Sequence, residues 1–389
     1  MPSHHAVLSP SSSARWINCP ASVRLVEALP KSNESSVYAE EGTTAHEYAE
    51  IHTAWKIGDL TTPEFKAKLK KWRAVRKVDK ATEAEMKEHV EAYTELVLDH
   101  ASQYPFSKVL LEQRVRPGIE SCWGTSDAVI VSPDHVEIID FKYGAGVAVS
   151  ATENSQLMLY GVGALEMFGD VLGDTKTVTM TIHQPRLNSV SSWAIASVDL
   201  RAWRDAIIPI ATEALSGTST NFGPSLEACR WCPIAGSCMA RVEKFAAEDF
   251  SAPAELMTPD DLADALELIP EIRQWCEAVL KEGLDQAYSK GTAIPRHKVV
   301  LSGGRRFYTD EAAVLKRLTA AGYKKDQLVN VKAKGLGDME KLVGKKEFPE
   351  ILGDLLQKSE GSPALVAETD RRRAITPETS AVEDFSKTD

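Results

Sequence analysis

No apolar run in this chain approaches the roughly 20 consecutive residues needed to cross a bilayer, so a membrane partner is not expected. The opening "MPSHHAVLSPSSSARW" lacks the basic-then-apolar pattern of a secretory signal, which points to a cytoplasmic protein whose thiols stay reduced. No internal repeat is evident, and no phosphate loop: "GAG" at 144–146 and "GLG" at 335–337 do not lead into Gly-Lys-Ser/Thr, which excludes a visible ATP-driven motor. Positive charge is in short supply. The 45 Lys and Arg against 56 Asp and Glu leave a net charge of −11, which taken alone argues against binding nucleic acid. The deficit is uneven, however. "KAKLKKWRAVRKVDK" (66–80) and the region from Lys290 to Lys346 are basic, and such a run is either a solvated helix face or a local grip on a phosphate backbone. Cysteine is scarce too. Of the six, three crowd into "ACRWCPIAGSC" as Cys229, Cys232 and Cys238. In a reducing compartment such spacing indicates metal or redox chemistry rather than disulfides, and a closed thiolate site wants a fourth ligand. Cys122 and Cys276 read as unrelated buried thiols.

What is present has the order of an α/β protein. "EEGTTAHEYAEIHTAW" reads as a helix with Thr43 or Thr44 near its N-terminus. A second helix is expected from about Thr82 to Gln103, because Met86, Val90, Tyr93, Val97 and Ala101 recur at helical spacing. Strands are expected at 108–115, 124–131 and 135–142, then a helix over "ENSQLMLYGVGALEMFG", strands at 177–184 and 190–198, and a helix from about Leu200 to Leu215. Helices, a three-strand meander, a helix, two strands and a helix predict a mixed central sheet flanked by helices. After about residue 252 the character changes. One long helix or two follow, with Pro270 as a kink or break, then a hairpin turning at Gly303–Gly304, short helices and a polar tail.

The informative segment is "GTSDAVIVSPDHVEIIDFKYGAG". If Val131 pairs with Val136 across the turn "SPDH", the antiparallel register places Asp127 opposite Asp140 on one face, with Lys142 two residues further along it. Like charges directly opposed among Val and Ile need a compensating cation. A divalent metal between Asp127 and Asp140 supplies one, and carboxylate oxygens suit Mg2+ or Mn2+. Lys142 would then orient the attacking water or stabilise developing charge. The competing reading is two aspartates at strand ends and a solvated lysine.

The Asp127…Asp140-Phe141-Lys142 pattern resembles the PD-(D/E)xK nuclease signature. "GTTAH" (42–46) is similar to the G-x-x-x-H helix of RecB-like nucleases, and "QLMLY" (156–160) to their Q-x-x-x-Y motif. The motifs stand in the expected order. The resemblance implies a restriction-endonuclease-like core, with His46, Asp127, Asp140 and the Phe141 carbonyl holding the metal and Lys142 positioning water. Gln156 and Tyr160, four apart and so on one helix face, would close over the site and touch substrate. Glu112 on the neighbouring strand joins at most through water, and His183, Gln184 and Arg186 either touch phosphate or simply end a strand. RecB-like nucleases of the AddB and CRISPR-associated exonuclease type carry an iron–sulfur cluster on one cysteine before the core and three after it. By that resemblance Cys19 in "WINCPAS" completes Cys229, Cys232 and Cys238 as a structural 4Fe-4S site, with Zn2+ on the same thiolates as the alternative.

The implied organisation is a nuclease domain over residues 1–250, a basic, mainly helical accessory domain over 251–369 and a disordered tail over 370–389. The implied activity is a Mg2+- or Mn2+-dependent DNA exonuclease, similar to phage and prophage proteins with a RecB-like core, in recombination or end processing. Partners would be DNA ends and a recombination or single-strand-binding protein. The alternatives are a non-cutting DNA-binding module on a nuclease-derived fold, or a zinc-stabilised protein with no part in nucleic acid chemistry. "VKAKGLGDMEKLVGKKEF" reads as an ordinary loop and helix, or as a distant likeness to a phosphate-contacting helix–hairpin–helix.

Overall fold

The computed structural model describes residues 6–30, 37–144, 146–169, 177–247, 257–300, 311–320, 344, 347–352 and 355. The chain divides into two compact units, Met1–Val300 and Leu301–Asp389. In the first, short helices α1 (Ser13–Asn18) and α2 (Ser22–Glu27) precede α3 (Val37–Lys56), α4 (Thr62–Arg76) and α5 (Lys80–Ser102). Strands β1 (Lys108–Val115), β2 (Gly124–Ser132) and β3 (His135–Phe141) lead to α6 (Ser155–Phe168), followed by β4 (Thr177–Gln184) and β5 (Ser189–Ala196). Then come α7 (Ser197–Leu215), α8 (Leu226–Arg230), α9 (Met239–Ala246) and α10 (Pro259–Leu284). Among the described residues the second unit contains α11 (Glu311–Ala320) and α12 (Glu347–Leu352).

The five strands form one sheet in the order β1-β2-β3-β4-β5. Only β3 and β4 run parallel, and α6 makes the crossover that a parallel pair requires. The sheet is therefore mixed and the fold is α/β. Val131 pairs with Val136, and the register runs on to Ala128 opposite Ile139. Alternation then sorts the strands into two faces. Val129, Val131, Val136 and Ile138 pack with α6, while Ala128, Ile130, Ile139 and Phe141 pack with α3 and α5. Met86, Val90, Tyr93 and Val97 of α5 are all buried, the helical stripe expected of that sequence. A third core gathers Trp16, Val23, Ile119, Ile207 and Ala211, seating α1 and α2 against α7.

The structure departs from the sequence reading in identifiable places. The basic run 66–80 builds most of a helix, α4, started by a Thr61–Glu64 capping box and anchored by buried Leu69 and Trp72. Helix α3 begins at Val37, one and a half turns before the threonines that were expected to open it. Helix α10 passes through Pro270 without a break, and that proline is on an exposed stretch where water can satisfy the freed carbonyl. Cys276 is exposed rather than buried. The expected accessory region would have begun with α10, yet α10 lies within the first unit. Gln274 donates to the Leu226 carbonyl at 2.9 Å, and Arg241 donates to the Glu271 carbonyl at 2.9 Å. The hairpin at Gly303–Gly304, the "VKAKGLGDMEK" segment and the tail lie outside the described residues.

Candidate metal centre

The carboxyl end of β3 is where side chains from both faces of the sheet meet. From the α3 side, Ala45, Tyr48 and Ala49 are buried against the sheet and hold His46 at the sheet's end. Its Nδ1 lies 3.1 Å from Asp127 Oδ1 on β2. The other oxygen of Asp127 accepts the backbone N–H of Phe141 at 2.7 Å, so this carboxylate takes over where the β2–β3 ladder stops. Phe141 packs under both partners, with its ring centroid 5.4 Å from His46 and 4.7 Å from Tyr93.

From the α6 side, Asn154 caps the helix by accepting the Leu157 N–H. The first turns of α6 then present Gln156 and Tyr160. Lys142, just past β3, lies 2.9 Å from Asp140 Oδ2 and donates to Oδ1 at 3.1 Å. It also donates to Gln156 Oε1 at 3.4 Å. Gln156 Nε2 reaches the Tyr160 hydroxyl at 3.2 Å and Asp140 Oδ1 at 3.5 Å. Asp127, Asp140 and Lys142, placed by the strand register, thus stand in one constellation with His46, Gln156 and Tyr160, named by the resemblance.

One member was undervalued. Glu112 is in β1 opposite Asp127, yet the ladder skips it: Leu111 pairs with Ala128 and Gln113 with Ser126. Its φ of 46° is left-handed, a conformation that costs a non-glycine residue about 1–2 kcal/mol. Ligand atoms of His46, Glu112 and Asp127 all lie within 4.8 Å of one another. Among the described residues it is the one such cluster. The register of β1 on β2 sets Glu112 opposite Asp127, and the sequence does not declare that register across the connection 116–123. By contrast, three residues with a possible phosphate role are committed to the fold. His183 is buried beside Tyr93. Gln184 brackets the backbone of Val147 and Val149, and Arg186 is paired with Glu41 at 3.0 Å and lies over the Tyr143 ring.

The electrostatics show what this cluster lacks. Burial favours a protonated Asp140, the charge of Asp127 adds to it, and together they outweigh Lys142, so its carboxyl is shifted upward. Glu112, open to solvent on one side, is raised to about 7 by partial burial and then by Asp127, Glu50 and Glu47. Burial opposes the charged forms of Asp127 and His46, but each is held charged by the other, the acid shifted down and the base up. Lys142 is likewise raised by Asp140 and Asp127 in spite of burial. Three carboxylates converge on one imidazole and one ammonium. An imidazole nitrogen with carboxylate oxygens is a donor set that fits a hard divalent cation, and such an ion would relieve the remaining repulsion.

The remaining candidate ligands, the cysteines, meet at the end of α1, where Cys19 is the cap. Cys19, Cys229, Cys232 and Cys238 all line one small pocket, together with Arg15 and Phe222. Burial raises the thiols of Cys229 and Cys232. No three of the four sulfurs gather within 4.8 Å of one another.

Among solved structures, "Crystal structure of SSO0001" is similar to this chain at 13% identity and a TM-score of 0.25, covering 56% of this chain and 94% of that one, a likeness too slight to carry an argument. The family model described as "Protein of unknown function (DUF2800)" matches residues 5–373. That match runs over nearly the whole chain, with both donor sets inside it, and the protein belongs to the DUF2800 family.

Proposed function

We propose that this protein is a metal-dependent DNA exonuclease that hydrolyses phosphodiester bonds at the carboxyl end of β3. The observation that carries the reading is the meeting there of His46, Glu112 and Asp127 with the Asp140–Lys142–Gln156–Tyr160 network. His46, Asp127 and Asp140, with Glu112, would hold Mg2+ or Mn2+, which when bound supplies Lewis-acid stabilisation of the phosphoryl oxygens. The chain's own groups do the rest. Lys142, kept protonated by Asp140 and Asp127, is a positioning cation rather than a base. Gln156 fixes it, accepting from Lys142 through Oε1 while Nε2 is spent on Tyr160 and Asp140. Tyr160 is raised by burial and by Asp140, so it stays a neutral phenol with a proton to donate to a phosphate oxygen. Choice of DNA and of exonucleolytic action rests on the likeness to RecB-like nucleases, as does a role beside recombination proteins.

In the same reading the four cysteines hold a structural 4Fe-4S cluster. The preference for the cluster over Zn2+ on the same four thiolates rests on the likeness to RecB-like nucleases. The test of the nuclease is end-labelled single- and double-stranded DNA with Mg2+, Mn2+ or EDTA. Label should be lost only with metal, and Asp140→Asn or Lys142→Ala should slow the loss by about 10³-fold with folding retained. Equal rates for the variants and the parent defeat the site assignment. Binding without cleavage under every metal favours the non-cutting module instead.

A further inference from the structure

Helix α4 carries more cation than its packing uses. Its buried side is Leu69 and Trp72 with half-buried Phe65, and the remaining surface is exposed. At 100° per residue, Lys66, Lys70 and Arg73 fall on one flank, within about 60° of each other, and Lys77 follows as the left-handed cap at the end of the helix. Arg73 is engaged by Glu83. Lys66, Lys70 and Lys77 are exposed and form no ion pair among the described residues. In a chain of net charge −11, three unpaired lysines in a row are a local reversal of sign.

The direction of this row matters. Helix α4 runs antiparallel to α3: Trp55 donates to Thr62 at 3.3 Å at one end, and Trp72 donates to the Thr44 carbonyl at 3.1 Å at the other. Arg76 is paired with Glu47. His46 lies between Thr44 and Glu47, so along the α3 axis the row starts at the far end with Lys66 and ends with Lys77 level with the turn that carries His46. Eleven residues of helix span about 16 Å, which is about five phosphate steps along one duplex strand.

Resting on the reading of the site as a nuclease, we propose that this flank of α4 is the track on which the phosphate backbone of a DNA strand runs up to the metal centre. The recognition is of charge and spacing, with no base read, as suits an enzyme acting on ends of any sequence. Helix α4 is then a substrate-guiding element rather than only a cover for α3.

The experiment uses the full chain carrying Asp140→Asn, so that DNA survives, and fluorescence anisotropy of an end-labelled 20-nucleotide strand and its duplex from 50 to 300 mM salt. Adding Lys66→Gln, Lys70→Gln and Lys77→Gln keeps helix propensity nearly constant. The expected result is a Kd raised about 10-fold or more at 100 mM salt and a log Kd against log salt slope reduced by about 2–3, since each phosphate contact contributes 0.7–0.9. Lys68→Gln with Lys71→Gln, on the opposite flank, should leave both unchanged. An unchanged Kd and slope in a triple variant that melts like its parent overturns the track, while cleavage by the otherwise wild-type chain would leave the nuclease reading standing. If the wild-type chain neither binds nor cleaves DNA, the nuclease reading falls and the track with it.

Discussion

Glu112 concentrates the energetics of the site in one residue. Its left-handed backbone is held against a cost of about 1–2 kcal/mol, and its carboxylate supplies a third ligand atom beside His46 and Asp127. A carboxyl raised from 4.5 to about 7 binds more protons folded than unfolded between those values. Stability of the metal-free protein therefore falls as pH rises through that window. His46, raised by Asp127, also holds a proton that a ligand must lose. Metal affinity should rise with pH below 7, approaching tenfold per unit for each proton released. Glu112→Gln removes one of those protons and one ligand. Titration calorimetry with Mn2+ from pH 5.5 to 8 should show affinity about 10–100-fold lower and a flatter pH profile; parental affinity and slope in this variant would sink the assignment. Asp127, Asp140 and Lys142 were legible because Val131 opposite Val136 fixes their register, and His46, Gln156 and Tyr160 were legible through the resemblance, the last two sharing a helix face four residues apart. Glu112 was undervalued because nothing in the sequence fixes the register of β1 on β2, which sets it opposite Asp127.

Helix α5 shows how an element is fastened beneath such a site. Glu137 is buried in the middle of β3, where its Oε1 meets His100 of α5 at 2.8 Å and accepts from Thr181 of β4 at 2.6 Å. Burial alone would raise it, but these partners pull the carboxyl down to about 2. A depressed acid stabilises fully above its unfolded value near 4.5, and loses that contribution as pH falls toward 2. His100, raised chiefly by its bond to Glu137, contributes below its ordinary 6.5 and loses its share as pH rises through its folded value. The pair is therefore worth most between about pH 4.5 and 6.5. Glu137→Gln should lower stability by on the order of 2–3 kcal/mol in urea at pH 5.5, and the difference from the parent should vanish near pH 2. A constant difference across that range would show a packing defect instead. At this scale the sequence was informative wherever apolar period was strong, as in β1 to β5, α5 and α6. It was misleading where charge masked period. The three apolar residues that seat α4, Phe65, Leu69 and Trp72, stand among six lysines and arginines, so α4 was read as a charged run, a solvated helix face or a phosphate grip, and not among the expected elements. Pro270 left one long helix or two open, and one helix forms, with the proline on an exposed stretch where water can reach the freed carbonyl.

For the whole molecule, the segments that carry Cys19 and the other three cysteines are already joined before any ligand is considered. Ala21 donates to the Asn221 carbonyl at 3.1 Å, and Arg24 to the Ser219 carbonyl at 3.1 Å. Between them Gly223 approaches so closely that a Cβ there would come within 1.9 Å of the Asn18 carbonyl oxygen, a contact only glycine permits. Cys19 follows Asn18 directly, and the other three cysteines begin six residues after Gly223. Protein contacts thus bring the two halves of the thiol site together, and loading must then expel protons from Cys229 and Cys232, which burial holds as thiols. A ligand that binds only when both halves meet stabilises the closed chain by mass action. Protein purified without oxygen should be brown, carry about four irons per chain, and melt several degrees higher than the same protein stripped of iron. Cys19→Ser should lose the colour while Cys276→Ser, exposed and away from the pocket, should keep it. Gly223→Ala separates clasp from ligands, because it leaves all four thiols intact while forcing Asn18 away. It should lower iron content and stability together, by a margin that reconstitution with iron and sulfide does not restore. A fully loaded, parent-like Gly223→Ala protein would mean that the cluster alone closes the chain. A colourless protein holding one zinc would replace the cluster with the simpler ion on the same four residues.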